Sequence, residues 1–118
     1  MDYVLLIAID PSSYASLTHD EQQGIYGEYY AYTEALRAKG VFVDGNALQG
    51  IDTATTVQLR DGVRSTTDGP YAEAKEVLVG YYVIRVDSLD EALDWAAKVP
   101  DARYGSIEVR PVMELPDM

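Results

Sequence analysis

The chain has 118 residues, with 20 acidic and 9 basic side chains and a net charge of −11 at pH 7. Charge of this sign repels phosphate backbones and anionic lipid, so we expect no direct nucleic-acid binding and no membrane partner. Cysteine is absent, which excludes disulfides and thiolate chemistry and favours a cytoplasmic location. No apolar run approaches the roughly 18 residues of a membrane helix. The length fits one domain, 1–118.

The first half of the chain predicts a buried strand followed by a long helix. Residues 3–9 are apolar at nearly every position, which indicates a strand that is buried on both faces or central in a sheet. Thr18 and Glu21 form a capping-box pattern, and the helix is expected to run to Lys39, with Gly40 just beyond it. Large side chains recur at helical spacing on one face of this helix: Ile25, Tyr29, Tyr32 and Leu36.

The second half predicts more strands and one more helix. Strands are expected at 41–48, 53–59, 77–86 and 104–112, with a short extended piece at 64–67. Asp61-Gly62 is typical of a hairpin turn. Ser88 and Glu91 repeat the capping box and open a helix that ends before Pro100. Its predicted apolar face carries four residues, with Trp95 pointing elsewhere: Leu89, Ala92, Leu93 and Ala96.

This order, β-α-β-β-β-α-β, predicts an α+β fold of the ferredoxin-like kind. Both helices should lie on one face of an antiparallel sheet. The chain has no further element to cover the opposite face of the sheet. A second copy of the chain is the economical cover, so we expect a homodimer.

The run 67–76 combines turn chemistry with functional groups. Gly69 tolerates positive φ, and Pro70 fixes its own φ near −65° and lacks an N–H donor. A tight turn here would present four functional side chains at the mouth of the space that the strands enclose: Asp68, Tyr71, Glu73 and Lys75. An acid, a phenol, a second acid and an ammonium group indicate a candidate site.

Each of these side chains has a functional and a structural interpretation. Asp68 is the best candidate for a general acid or base, or else it caps the turn by accepting from nearby backbone N–H groups. Tyr71 lines a pocket or fills the core or its rim. Glu73 and Lys75 contact a ligand, or they are solvated loop charges that hold the loop in place.

Other chemistries lack the residues that they require. His19 is the single imidazole, it lies at the start of the first helix, and no cysteine accompanies it, so we predict no metal site, no nucleophilic triad and no cofactor. Ten tyrosines stand against one phenylalanine. They indicate either an aromatic pocket with polar tips, suited to small organic ligands, or a core that uses Tyr in place of Phe.

The run Asp68-Gly69-Pro70-Tyr71 resembles the signature of the DGPF group of YCII-related proteins. The resemblance extends over nearly the whole chain. Further similar segments lie at 3–7, 35–41, 53–57, 80–82, 90–96 and 102–111.

The resemblance implies a ferredoxin-like dimer of the dimeric α/β-barrel type, with a small-molecule site in the cleft between sheet and helices. YCII proteins proper are proposed enzymes with a His/Asp pair, and aligning the first helix puts Tyr29 near the position of that His. The expected ligand-binding residues are Tyr29, Gly69, Pro70, Tyr71, Glu73, Lys75 and Arg103.

The DGPF branch also suggests an alternative function. Its members are often found near, or fused to, extracytoplasmic-function sigma factors. The alternative is therefore a non-catalytic sensor or partner-binding module with a regulatory protein partner. The ligand and any reaction stay open at this point.

Overall fold

A computed structural model describes residues 1–70 and 74–116. Among them, no helix is long and apolar enough to cross a membrane. The described strands are β1 (Asp2–Ile9), β2 (Phe42–Ala47), β3 (Thr55–Arg60), β4 (Val63–Asp68), β5 (Val77–Arg85) and β6 (Gly105–Pro111). The described α-helices are α1 (Pro11–Ala15), α2 (His19–Ala38) and α3 (Leu89–Ala97), and 3₁₀ turns occupy Ile51–Thr53 and Pro100–Arg103.

Four strands form one antiparallel sheet in the order β2-β5-β1-β6. β1 lies between β5 and β6, with Leu5 opposite Tyr82 on one side and Val109 on the other. At the far end of the same pair of strands, Tyr3 lies opposite Pro111. This is the strand order of a ferredoxin-like fold, so the predicted α+β class is confirmed.

Both long helices cover the same face of this sheet, as predicted. Leu36 of α2 and Ala92 of α3 belong to one buried cluster with Leu5 and Ile84 of the sheet. Along β1 the odd-numbered residues are buried beneath the helices, whereas Val4 and its even-numbered neighbours are only half-buried. The central position of β1 is thus confirmed, and its second face is only partly covered.

The predicted ends of α2 follow from capping chemistry. The Thr18 hydroxyl accepts from the Glu21 backbone N–H at 3.1 Å, and the Thr18 N–H donates to the Glu21 carboxylate at 3.0 Å. At the other end, Gly40 has a φ of 71° and donates its N–H to the Arg37 carbonyl. These bonds satisfy backbone groups that the helix itself leaves without partners.

Tyrosine side chains build much of the core. The Tyr32 ring meets the Tyr82 ring edge-on, with centroids 5.2 Å apart, and the Trp95 ring at 6.1 Å. Their hydroxyls are also bonded, Tyr32 to the Trp95 carbonyl and Tyr82 to the Thr33 hydroxyl. These residues support the interpretation of a core that uses Tyr where Phe would fit, with a partner for each O–H.

The predicted apolar face of α3 was right for Ala92 and Ala96 and wrong for Leu89, Leu93 and Trp95. Leu89 and Leu93 are exposed, whereas Trp95 packs against the core. The buried face is Ala92 and Ala96 together with Trp95, a stripe at i, i+3 and i+4. Two alanines let the helix axis approach the sheet closely, and the large ring then fills the space beside them.

Two further features differ from the expected order. α1 forms where only a break was expected, because the Asp10 carboxylate accepts from the Ser12 N–H at 3.0 Å and Pro11 occupies the first turn. β3 and β4 form a separate two-stranded sheet outside the main one. Its predicted turn is confirmed, with φ of 52° at Asp61 and 75° at Gly62, as in type I′ hairpins.

Candidate ligand-binding site

One end of the main sheet gathers most of the candidate residues. Ile9 pairs with Val77 on one side and with Gly105 on the other, so β1 ends where β5 and β6 begin. We call this end the mouth. The loop that carries the Asp-Gly-Pro turn enters the sheet here, and so does the 3₁₀ turn that precedes β6.

The Asp-Gly-Pro turn is held by backbone contacts. Asp68 is the last residue of β4 and is exposed. Gly69 has a φ of 102°, a conformation that favours glycine, and donates its N–H to the Ala54 carbonyl at 2.8 Å. The Thr56 hydroxyl donates to the Gly69 carbonyl at 2.7 Å. The positive φ that the sequence predicted at Gly69 is therefore present, and this residue is fixed to the start of β3.

A cleft of about 390 Å³ opens beside this turn, between it and the ends of β2 and β5. Its walls are mainly apolar and include Leu48, Ile51, Pro70, Ala74 and Leu78. Three of these side chains, Leu48, Ile51 and Leu78, keep 40 to 47% of their surface exposed. The cleft is thus an apolar concavity that remains open to solvent on one side.

Glu76 is one of the residues that line the cleft. One of its oxygens accepts from the Ser106 hydroxyl of β6 at 2.8 Å. That bond links the segment before β5 to β6. A carboxylate with one bonded oxygen retains further acceptor positions for a ligand hydroxyl or amine.

Lys75 is exposed, and its positive charge acts on Asp10, which follows β1 at the mouth. The pKa of Asp10 lies below its usual value, first because of the hydrogen bonds from the Ser12 backbone and hydroxyl, and then because of the Lys75 ammonium. Asp10 caps α1, so the Lys75 ammonium lies near enough to the start of α1 to act on this carboxylate.

A second cluster surrounds a buried carboxylate at the start of the last 3₁₀ turn. Asp101 is 1% exposed. The Tyr14 hydroxyl of α1 donates to one of its oxygens at 2.6 Å, and the Tyr29 hydroxyl of α2 donates to the other at 2.5 Å. One side chain thus ties α1 and α2 to the segment that leads into β6. We call these three residues the Asp101 cluster.

The Asp101 cluster keeps both phenols neutral. Burial, followed by the hydrogen bond to Asp101 and its negative charge, raises the pKa of Tyr14 and of Tyr29 above the ordinary value. A phenolate beside the buried carboxylate would place two negative charges in contact. Tyr29 therefore serves as a donor to Asp101, and its oxygen keeps only acceptor capacity toward anything else.

Arg103 lies in a shallow groove next to this cluster. It forms an ion pair with Glu28 of α2, with both side chains about half exposed, and donates its Nε–H to the Pro100 carbonyl at 3.1 Å. An ion pair with that exposure contributes roughly 0–1 kcal/mol. The groove lies between α2 and the segment after α3, apart from the cleft beside Pro70.

The predicted site residues thus fall into two groups. Gly69 and Pro70 form the turn at the cleft, with Asp68 and Lys75 exposed on either side of them in the chain. Tyr29 and Arg103 belong to the helical side, at the Asp101 cluster and the adjoining groove. Tyr71 and Glu73 lie outside the described residues.

His19 is exposed at the first position of α2, and no three His, Asp or Glu side chains within 1–70 and 74–116 could hold a metal ion.

The sequence interpretation missed two carboxylates. Asp101 follows a proline after a helix, and an acid in that position is usually an ordinary loop residue. The sequence feature that pointed to Asp101 was the large number of tyrosine hydroxyls, because buried hydroxyls need acceptors. Glu76 stands one residue before β5, and only its position next to the apolar strand distinguished it from Glu73.

Comparison with known proteins identifies the family. The chain matches the YCII-related domain over residues 1–116. It belongs to the YCII-related family, and the resemblance seen in the sequence is confirmed.

Two relatives extend this finding. An uncharacterised protein of Rhizobium meliloti is 33% identical over 114 residues, covering 95% of this chain and 92% of the relative. In structure, the chain is similar to a 5-chloro-2-hydroxyhydroquinone dehydrochlorinase from Burkholderia phenoliruptrix, solved in complex with 2,5-dihydroxybenzoquinone. The TM-score is 0.58 at 16% identity, with coverage of 96% of this chain and 94% of the other. At that identity the likeness establishes the shared fold.

Proposed function

We propose that this protein is a homodimer that binds a small, neutral, hydroxylated aromatic molecule in the cleft beside the Asp-Gly-Pro turn. The observation that carries the proposal is the cleft itself. Its volume of about 390 Å³ lies within the range of roughly 300–1,000 Å³ of small-molecule sites, and its walls combine apolar side chains with the Glu76 carboxylate.

The chemistry of the walls supports an aromatic ring with hydroxyl groups. Leu48, Ile51 and Leu78 offer exposed aliphatic surface for the faces of a ring. Glu76 offers an acceptor for a hydroxyl proton. The solved structure that shares this fold is in complex with a hydroxylated six-membered ring, 2,5-dihydroxybenzoquinone. The carboxylate and the net charge of −11 disfavour anions, so we propose a neutral ring for this chain.

We further propose Asp68 as the acid/base group of the site. It precedes Gly69 and Pro70, and Pro70 lines the cleft. An exposed carboxylate next to a bound ring is suited to accept a proton from a ring hydroxyl or to return it. Tyr71 and Glu73 of the same loop are proposed as additional ligand contacts, with Lys75 holding the loop against α1.

The test uses hydroquinone as the probe, with thermal unfolding and titration calorimetry as readouts. A ligand present at one hundred times its dissociation constant adds about 2.7 kcal/mol to stability, enough to raise the midpoint by several degrees. We expect hydroquinone to bind and 2,5-dihydroxybenzoquinone, a vinylogous acid that ionises readily, to bind more weakly. No shift with either compound, or tighter binding of the acidic quinone, would contradict the proposed ligand class.

Two variants separate a ligand contact from a structural role. Asp68→Asn should weaken binding while leaving the unliganded midpoint unchanged, and the matched control Asp61→Asn, at the far end of the same hairpin, should leave both unchanged. Equal losses of stability and binding in Asp68→Asn would support the turn-capping interpretation of Asp68 instead.

A further inference from the structure

The wall of the proposed cleft has two parts. One consists of residues from the connection 48–54 between β2 and β3, and the other consists of Pro70 and residues from 74–78. The first part contains the 3₁₀ turn Ile51–Thr53, which has hydrogen bonds of its own. Pro70 is joined to the end of β4 through Gly69. The position of Pro70 relative to the first part of the wall therefore depends on the backbone of Gly69.

Gly69 is a flexible joint by its chemistry. Glycine has no Cβ, so its two backbone dihedrals are less restricted than those of any other residue, and its φ here is 102°. The pairing of β3 with β4 ends with Thr55 opposite Asp68, so the ladder of the hairpin does not extend to Gly69. Other contacts must therefore restrict Gly69 if Pro70 is to keep one position at the cleft.

Two hydrogen bonds restrict Gly69, one on each side of its Cα. Its N–H donates to the Ala54 carbonyl at 2.8 Å, and its carbonyl accepts from the Thr56 hydroxyl at 2.7 Å. The Gly69 carbonyl and the Pro70 nitrogen belong to one planar peptide unit. Holding that carbonyl therefore restricts ψ of Gly69 and fixes the plane to which the Pro70 ring is attached.

Thr56 is placed for a supporting role. It is half-buried, whereas its neighbours in β3, Thr55 and Val57, are exposed. Ala54, two residues earlier, lines the cleft, and Thr56 does not. Thr56 would thus act on a ligand through the residues that it holds and not by touching the ligand.

We propose that Thr56 is a positioning residue of the cleft, whose hydroxyl holds Gly69 and thereby keeps the Pro70 ring in place to contact a ligand. This role rests on the ligand site proposed above and adds the residue that pre-organises it. A wall that is ordered before the ligand arrives lowers the ordering cost of binding. Loss of one such hydrogen bond should therefore weaken binding about 3- to 10-fold.

The first test needs no ligand. The sequence has a single Gly-Pro step, Gly69-Pro70. Protein labelled with ¹³C at the glycine carbonyls and ¹⁵N at the prolines therefore gives one carbonyl signal with a directly bonded ¹⁵N. Thr56→Val replaces the hydroxyl by a methyl group. Because Gly69 is only half-buried, water can reach its carbonyl in this variant, and we expect an unchanged circular dichroism spectrum.

The carbonyl signal should shift in Thr56→Val and should return close to its parent position in Thr56→Ser, which keeps a hydroxyl. The matched control is Thr66→Val, the same substitution at an exposed position of β4, and it should leave the signal in place. An unchanged signal in Thr56→Val would overturn the inference, and so would an equal shift in Thr66→Val.

The second test measures the dissociation constant of hydroquinone for the same proteins by titration calorimetry. We expect the stated loss of affinity in Thr56→Val, near-parent affinity in Thr56→Ser and parent affinity in Thr66→Val. A merely structural hydroxyl would lower the midpoint of unfolding and leave the affinity of the folded protein unchanged, and that result would overturn the positioning role. If the parent does not bind hydroquinone, the proposed ligand fails, and the carbonyl signal still decides whether Thr56 holds Gly69.

Discussion

The Asp101 cluster and the hairpin formed by β3 and β4, called the arm, are opposite cases within one small domain. In the cluster, every polar group of a buried carboxylate and two phenols has a partner, and three separate elements meet at one side chain. In the arm, apolar side chains are exposed and the strands hydrogen-bond only to each other as a sheet. The difference shows which part of the domain is packed internally and which part is left exposed. Substitutions on the two sides of this contrast should have very different costs.

The largest loss of stability should come from adding a side chain at Gly105, the first residue of β6, at the mouth. A Cβ on Gly105 would lie 2.0 Å from the Ala8 carbonyl oxygen and 2.9 Å from the Ile9 Cα, both backbone atoms. Gly105→Ala must therefore displace β6 from β1, and we expect a loss of about 3 kcal/mol or more. Urea unfolding followed by circular dichroism measures it. A loss below about 1 kcal/mol would show that this end of the sheet is looser than the packing indicates.

Removing the central carboxylate of the cluster should be the next largest effect. Asp101→Ala leaves two buried phenols without an acceptor, at about 1–3 kcal/mol for each unsatisfied group. We expect the free energy of unfolding to fall by about 2–4 kcal/mol in a urea titration. Asp20→Ala, at an exposed position in the first turn of α2, is the control and should cost less than about 1 kcal/mol. Similar losses in the two variants would contradict the structural role of the cluster.

Alkaline pH should weaken the contribution of the Asp101 cluster to stability. The pKa values of Tyr14 and Tyr29 are raised in the folded protein, so the neutral phenols are favoured by folding. Their contribution is fully present below the ordinary phenol pKa of about 10 and is lost as pH rises above it. We expect the midpoint of thermal unfolding to fall between pH 10 and 11.5. Tyr14→Phe with Tyr29→Phe should be less stable at pH 8 and should show a smaller fall; an equal fall would contradict this assignment.

The smallest expected effect is a gain on the solvent side of α2. A Cβ on Gly24 meets no atom within 4 Å, and the position is exposed within the helix. Gly24→Ala should therefore stabilise the protein by up to about 1 kcal/mol through helix propensity alone. Urea unfolding measures the gain, with dimer content checked by light scattering. A loss of stability would indicate that this face of α2 needs the small residue for a contact with another molecule.

Local patterns predicted most of the fold because the signals are local. Thr18 and Glu21 lie three residues apart and specify the start of α2 by themselves, and Asp61-Gly62 specifies its own turn. The alternating residues of β3 could not reveal that this strand leaves the main sheet, since the same alternation suits either sheet. In α3, two stripes of apolar residues competed, and tertiary packing chose the one that contains Trp95.

The candidate site was only partly predictable, because its geometry depends on distant residues. Asp101 is separated from Tyr14 by 87 positions of the chain and from Tyr29 by 72. No local motif therefore predicts the cluster. The positive φ of Gly69 follows from the chemistry of glycine and was predicted. Glu76 lines the cleft because β5 enters the sheet next to it, and no local pattern in the sequence carries that relation.

The pairing of Tyr3 with Pro111 has a consequence for how this domain is joined to others. The chain enters and leaves the sheet side by side, at the end opposite the mouth. The start of β1 and the end of β6 lie next to each other, so a linker that joins the residues beyond them should allow a circular permutant opened at Asp61-Gly62 to retain the topology of the main sheet. For the same reason, a domain fused before β1 or after β6 would lie at the end of the sheet opposite the mouth. It would therefore leave the proposed cleft accessible.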